Sequence, residues 1–313
     1  MKETCLILGG AGFIGSHLAD LLLENNYNVV IFDKINCFKG NIKHIFKRIK
    51  FIEGDFDNDI DIKDALENVD YVYQFISTTL PKSSNLNPYY DVESNVLGSI
   101  KLFEKCVEFS IKKVIFLSSG GTIYGISEEP IITESHPCNP ICSYGITKLT
   151  IEKYLNLFYY LHGINYSIIR LSNPYGERQN PLVQQGVISV FLKKALLGEM
   201  IDIWGDGSVV RDYIYIKDVA VALMKAIQSD SIMKIFNVSS AIGYSLKEIL
   251  SYIELVSKKK IEVNFINNLN RKFDVPINVL DNSLFKNNFN WEPKVSLEQG
   301  ISNTWDWIKS QQF

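Results

Sequence analysis

The stretch Gly9-Gly10-Ala11-Gly12-Phe13-Ile14-Gly15 decides the fold. A strand-length apolar run, residues 6–9, leads into it, and residues 13–25 after it carry a helical apolar pattern. Small residues at a strand-to-helix turn let the backbone bend sharply and approach a ligand. The first helical amides and the helix dipole then favour an anionic pyrophosphate. A plain structural turn also uses glycines, and context separates the two readings: strand, turn, helix, then an acid closing the second strand. Asp33 stands there, eighteen residues past Gly15. Its carboxylate suits ribose hydroxyls and repels a 2′-phosphate, so the expected cofactor is NAD rather than NADP. The cofactor-binding set is Gly9, Gly12, Phe13, Ile14, Gly15 and Asp33. Asp55, with Phe56 after it, closes the third strand, where a carboxylate suits an adenine amino group or caps the next helix.

Outward from this loop, β-branched runs at 6–9, 29–33, 50–54, 71–76, 113–118 and 166–171 alternate with helical patterns at 13–25, 60–68, 89–109 and 143–162. Apolar strands separated by helices imply a parallel sheet covered on both faces. The right-handed crossover rule leaves a doubly wound, Rossmann-type α/β fold. After Asn173 a Pro/Gly/Gln/Asn-rich stretch changes the rhythm, and shorter elements follow at 187–197, 211–216, 218–228, 235–238 and 245–257. The expected organisation is a cofactor domain, 1–173, and a smaller C-terminal α/β substrate lobe, 174–313, interleaved with the end of the sheet. A chain of 313 residues has room for about two such units. Leu297, Ile301, Trp305 and Ile308 recur at helical spacing and read as a core-facing stripe.

Composition excludes several classes. Lys+Arg total 32 against 35 Asp+Glu, a net charge of -3, so a nucleic-acid partner is not expected. Apolar runs fall short of the ~20 residues of a membrane span. The chain enters a strand pattern at once, without an export signal, and the reducing cytoplasm is the expected location. Five cysteines argue against a disulfide framework; Cys5 and Cys106 read as core, and Cys138 and Cys142 lack partners for a zinc site.

The second constellation is Ser143-Tyr144-Gly145-Ile146-Thr147-Lys148, which sets Tyr144 and Lys148 four apart on one helix face. An ammonium beside a phenol lowers its pKa from about 10 and makes it a usable acid and base. Such a pair alone is common on solvated helices; its value comes from the phosphate loop upstream.

With these motifs the chain resembles the extended short-chain dehydrogenase/reductase family, in its nucleotide-sugar-modifying branch of UDP-galactose 4-epimerase type. The resemblance rests on GGAGFIG, Asp33, Gly54-Asp55, SSGGTIYG at 118–125, YGITK at 144–148, NPYG at 173–176, WGDGSVVRDYIYIKDV at 204–219 and RKFDVP at 271–276. It implies that Asn95, Ser118 and Ser119 line the cofactor pocket and that Asn173 meets the diphosphate or sugar. It further implies that Arg211 and Arg271 bind the diphosphate and Asp274 a ribose hydroxyl. For Arg211, an ion pair with Asp212 is the plainer alternative. In relatives, helices corresponding to 89–109 and 143–162 pair into a homodimer; here the same stripes could also pack within one chain.

The chain also departs from the pattern. Relatives place Ser or Thr four positions before the Tyr of the TxYG motif, and counting back from Tyr124 gives Gly120. Thr122 is the nearest hydroxyl that could serve as catalytic helper. Related 4,6-dehydratases carry an Asp-Glu pair where this chain has Gly121 and Thr122, which excludes that elimination. Lys82, in QFISTTLPK, and Arg178, after NPYG, are candidate substrate contacts, each with a solvated surface position as the alternative. The expected activity is NAD-dependent oxidation at C4 of a GDP- or UDP-linked sugar. The leading expectation is a 4-keto-releasing dehydrogenase of the GDP-heptose, capsule-polysaccharide type. A 4-epimerase of the UDP-glucose/UDP-GlcNAc type and a non-catalytic NAD-binding sensor are its rivals.

Overall fold

The computed structural model describes residues 2–182, 186–228, 234–266 and 275–311. The chain divides into two compact units: Met1–Gly125 with Pro137–Leu171 and Ala220–Phe236, and Ile126–His136 with Ser172–Val219 and Asn237–Phe313. The change of unit at 171/172 lies beside the boundary expected at 173, but residues 126–136 and 220–236 cross in opposite directions.

In the first unit, β1 (Thr4–Leu8), β2 (Asn28–Asp33), β3 (Lys50–Glu53), β4 (Tyr71–Gln74), β5 (Lys113–Ser119) and β6 (Tyr166–Leu171) form a parallel sheet. Its order, from one edge, is β3-β2-β1-β4-β5-β6 and then the strand Ile235–Val238. The order reverses between β1 and β4, and in such sheets ligands bind beyond the carboxyl ends of the strands at that reversal. The strands are apolar on both faces because helices cover both: Leu6, Leu8, Val30, Val72, Val114, Phe116 and Ile168 share a core with Leu102, Phe103, Ile151 and Leu155 of the helices.

Two helical segments depart from expectation. Residues 88–108 are helical throughout, but Val92–Leu97 form a wider π turn between Pro88–Asp91 and Gly98–Glu108. Gly40–Arg48 is a 3-10 run whose buried residues, Ile42 and Ile45, lie three apart, the spacing that aligns one face of that helix.

The second unit is built on Val210–Tyr215. This strand pairs antiparallel with Gly243–Ser245 and parallel with Asn173–Tyr175 and Ile277–Asn278. A separate ladder joins Ile201–Trp204 to Val263–Ile266. Helices Val187–Leu197, Leu246–Ser257, Ser283–Phe289 and Leu297–Lys309 belong to it, the second opened by a Ser245–Glu248 capping box. Leu297, Ile301, Trp305 and Ile308 are buried, as their spacing predicts.

Candidate active site

The phosphate loop runs from β1 into a helix, Phe13–Glu24, that begins at Gly12 with extended backbone and no side-chain cap. The first amides of a helix have no partner within it, and here no acidic side chain neutralises them. Gly15 is required by close approach: a Cβ there would stand 2.6 Å from Gly10 Cα and 2.7 Å from the Gly9 carbonyl oxygen. Asp33 braces the loop, one carboxylate oxygen accepting the Ala11 N–H at 3.0 Å and the other the Lys34 N–H at 2.9 Å. Burial pushes its pKa up, partly offset by those two donors. A bare cradle of amides beside an acceptor carboxylate fits a dinucleotide pyrophosphate and its ribose.

Asp55 is exposed, and its Oδ1 accepts the Asp57 N–H at 3.0 Å. It does not cap the next helix, Asp59–Leu66; Asn58 does, which removes the capping alternative. The Phe56 ring lies against Gly98 and the core.

Tyr144 and Lys148 lie on the helix Ser143–His162. Its opening amides are taken by the segment after β4: Asn85 Oδ1 accepts the Ser143 N–H at 2.9 Å, and Ser84 Oγ accepts the Tyr144 N–H at 3.0 Å. Lys148 is buried and donates to the Leu117 carbonyl at 3.0 Å, its Nζ 5.6 Å from the centroid of the Tyr144 ring. Burial drops the lysine to about 8, while the charges of Asp91 and Glu152 oppose the drop.

The expectation that Lys148 acidifies Tyr144 is corrected here. The ammonium is tied to a backbone carbonyl and sits over the ring. Loss of solvent around the phenol dominates and pushes it up to about 12, against a lowering hydrogen bond from Ser77.

The segment 75–79 joins the two halves of the site. Ile76 N would lie 3.5 Å from a Cβ on Gly9, and Thr79 shares the Asp91 carboxylate with Ser143, which opens the Tyr–Lys helix. The phosphate loop and the Tyr–Lys pair therefore share one edge of one sheet. Thr122 is there too: its carbonyl oxygen would lie 2.6 Å from a Cβ on Gly145, and its Oγ1 is buried with no hydrogen-bond partner.

Two residues expected in the cofactor pocket have other partners. The Ser118 hydroxyl donates to Glu152 at 2.6 Å, because alternate strand residues face opposite ways and residue 118 faces the helix interior. Glu152 is paired bidentately with Arg170, whose remaining nitrogen reaches Tyr124 Oη at 3.1 Å. Asn95 accepts the Thr78 N–H at 3.0 Å and donates to Asp91, so it braces the 75–79 segment. Asp91 is itself buried and accepts from Thr79, Ser143 and Thr147. Glu152, Arg170 and Asp91 escaped the sequence reading, and no motif marked them.

Lys82 is exposed on the short helix Pro81–Ser84. In the second unit, Asn173 donates to the Asp212 carbonyl at 2.9 Å, and Arg211 donates to the Val210 carbonyl at 2.8 Å. The Arg211–Asp212 ion pair is overturned: neighbours on a strand face opposite ways. The fully buried Asp212 carboxylate accepts from Ser240 and Ala241 instead. Arg178 is half-buried with left-handed backbone, φ 66°. Arg271 and Asp274 lie outside the described residues. Among the described residues no group of three or more His, Cys, Asp or Glu is placed to hold a metal, and no helix is long and apolar enough to cross a membrane.

Similarity to known proteins covers nearly the whole chain. The chain is 37% identical over 310 residues to a Methanocaldococcus jannaschii protein assigned provisionally as a UDP-glucose 4-epimerase, covering 97% of this chain and 98% of that one. The crystal structure of UDP-glucose 4-epimerase with UDP-glucose from Thermotoga maritima superposes with a TM-score of 0.92 at 33% identity, over 98% of both chains. That of the Thermus thermophilus UDP-glucose 4-epimerase in complex with NAD does so at 0.90 and 30%, over 98% and 99%. The model of one family spans residues 5–239, from β1 through the Tyr–Lys helix to the end of the last sheet strand. The chain belongs to the NAD dependent epimerase/dehydratase family.

Proposed function

We propose that this enzyme is a nucleotide-sugar 4-epimerase acting on a UDP-hexose of the glucose or N-acetylglucosamine type. The observation that carries the reading is the placement of Tyr144 and Lys148 at the strand edge that holds the phosphate loop, linked through residues 75–79 and the Asp91 carboxylate. Full-length similarity to UDP-glucose 4-epimerases supports it. The same similarity favours the epimerase over the 4-keto-releasing, GDP-heptose dehydrogenase that led the sequence expectations.

Gly9, Gly12, Phe13, Ile14 and Gly15 hold the pyrophosphate, Asp33 a ribose, and Asp55 with Phe56 the adenine end. NAD, when bound, supplies the hydride acceptor and donor for C4 and a positive charge that favours phenolate. Tyr144 takes the 4-hydroxyl proton as the alcohol becomes a ketone, and returns it after the ketosugar presents its other face. Lys148, fixed by the Leu117 carbonyl, holds ribose hydroxyls and offsets the phenolate charge. Thr122 offers its unpartnered hydroxyl to the sugar. Positioning these groups together supplies the proximity contribution. Asn173, Arg178, Arg211, Arg271, Asp274 and Lys82 are assigned to the substrate's diphosphate, ribose and sugar.

Tyr160 is 84% exposed and Tyr89 76%, on the two helical segments whose apolar stripes suit a second copy, so we assign a homodimer. Its solution mass tests that. Among the described residues no cysteine is in a disulfide, and we assign a cytoplasmic setting.

Incubation with UDP-glucose, UDP-GlcNAc and a GDP-heptose tests the reaction. Inversion at C4 without net cofactor reduction is expected. Accumulation of ketosugar with stoichiometric NADH would return the dehydrogenase.

A further inference from the structure

We propose that Asp91 is a positioning residue for the Tyr144–Lys148 pair: its carboxylate fixes the opening turn of the Tyr–Lys helix against the segment that follows β4. The role rests on Tyr144 being the proton-transferring group of the epimerase reading. Asp91 is fully buried, and its two oxygens face different parts of the chain. Oδ1 accepts from Thr79 Oγ1 and stands 3.0 Å from Asn95 Nδ2. Oδ2 accepts from Ser143 Oγ at 2.7 Å and stands 3.2 Å from Thr147 Oγ1. Ser143 and Thr147 immediately precede Tyr144 and Lys148. The single Thr147 hydroxyl proton also has the Tyr144 carbonyl within 2.9 Å, so Ser143 makes the firmer of the two bonds to Oδ2. Taking a carboxylate out of water is costly unless hydrogen bonds replace the water. Here the replacement donors come from three separate pieces of chain.

The π turn gives Asp91 its reach. Asp91 ends Pro88–Asp91, and Ser94 and Asn95 follow in Val92–Leu97. Such a turn inserts a residue into a helix and re-aims the side chains around it. Ser94 Oγ meets Thr78 Oγ1 at 2.6 Å, Asn95 Oδ1 accepts the Thr78 N–H at 3.0 Å, and Asp91 takes Thr79. The segment after β4 is held by all three residues, and Asp91 carries that hold across to the Tyr–Lys helix. Two further bonds lie along the same seam: Asn85 Oδ1 accepts the Ser143 N–H and Ser84 Oγ accepts the Tyr144 N–H. Both depend on the helix start staying where the carboxylate keeps it.

The test compares Asp91→Ala, Asp91→Asn and Ser143→Ala with the parent, all NAD-loaded. Without substrate, hydrogen exchange at the amides of residues 143–147 is expected to speed up about tenfold in Asp91→Ala and Ser143→Ala, with residues 151–162 unchanged. With a UDP-hexose that the parent epimerises, kcat is expected to fall about tenfold in both, with KM within about threefold. The double variant Asp91→Ala/Ser143→Ala is expected to be no slower than Asp91→Ala alone, because the two residues act through one bond. Asparagine keeps the shape, accepts from Thr79 and turns its amide to Ser143 Oγ, so Asp91→Asn is expected to recover most of kcat.

Unaltered exchange at 143–147 in Ser143→Ala overturns the proposal, whatever the enzyme's substrate. So does Ser143→Ala with the parent's kcat, or a loss confined to KM. Should Asp91→Ala fail to fold, Ser143→Ala and Asp91→Asn decide between these outcomes. Faster exchange in a protein that turns over no nucleotide sugar would sustain the Asp91 clamp and sink the epimerase reading.

Discussion

Gly145→Ala puts the site geometry under direct strain. Position 145 lies in the first turn of the helix Ser143–His162, where alanine is the better helix former by about 1 kcal/mol. On propensity alone the substitution stabilises. The structure opposes it: the new Cβ would stand 2.6 Å from the Thr122 carbonyl oxygen and 3.1 Å from its carbon, both rigid backbone atoms. Ordinary contact begins at 3.4 Å, so the helix start and the 119–125 turn must separate by about 0.8 Å. That displacement falls on the residue after Tyr144, and a misplacement near 1 Å at reacting groups costs about a hundredfold in rate. We expect kcat/KM for the sugar that the parent epimerises to fall roughly 30- to 100-fold, or ~2–3 kcal/mol of transition-state stabilisation. NAD affinity should hold within about threefold, since the phosphate loop does not touch Gly145. Steady-state kinetics, NAD titration calorimetry and thermal melts on the same preparation separate the effects. A folded Gly145→Ala protein with activity within threefold of the parent refutes the close approach and the positional argument built on it.

The Glu152–Arg170 pair is bidentate and buried, so Glu152→Gln or Arg170→Met alone should cost about 3–5 kcal/mol in urea unfolding, by leaving one charge uncompensated. The double variant should cost clearly less than the two together, and strict additivity would show that the pair is not coupled. Asp33→Ala should weaken NAD binding at least about tenfold and narrow the preference over NADP, because an acceptor and a repulsive charge go together; an unchanged ratio of dissociation constants counts against Asp33 as the selector. Burial pushes Asp212 from 3.8 to about 6. The folded state then holds its proton more tightly than the unfolded chain, so this group's contribution to stability declines as pH rises from about 4 to 6. Asp212→Asn should remove that slope from the unfolding free energy whatever it does to the absolute value, and a retained slope would place its origin elsewhere.

Much of the first unit was legible because its signals are local. The β-branched run at 29–33 is a strand at Asn28–Asp33, and the pattern at 143–162 is a helix with those bounds. Gly12 and Gly15 sit where a strand-to-helix turn needs them, and Asp33 closes β2. The failures are tertiary. A run of helical residues does not reveal that Val92–Leu97 widens into a π turn, which depends on how Asp91 and Asn95 bond the segment after β4. Ser118 and Ser119 look equivalent in sequence, and only the strand's alternation sends residue 118 to Glu152. The sign of the Tyr144 shift escaped for the same reason: spacing places Lys148 on the right face but says nothing of desolvation or of the Leu117 carbonyl that accepts its hydrogen bond. Ser84 accepts the Tyr144 N–H from 60 positions away, so no spacing rule finds it.

The most direct test supplies the NAD-loaded enzyme with a UDP-hexose carrying deuterium at C4 and reads the sugar by NMR alongside cofactor absorbance. Tyr144-dependent, reversible oxidation at C4 predicts an inverted sugar that keeps its deuterium at C4, no lasting NADH, and no inversion in Tyr144→Phe. Deuterium lost to solvent from C4, or inversion that persists in Tyr144→Phe, would contradict it.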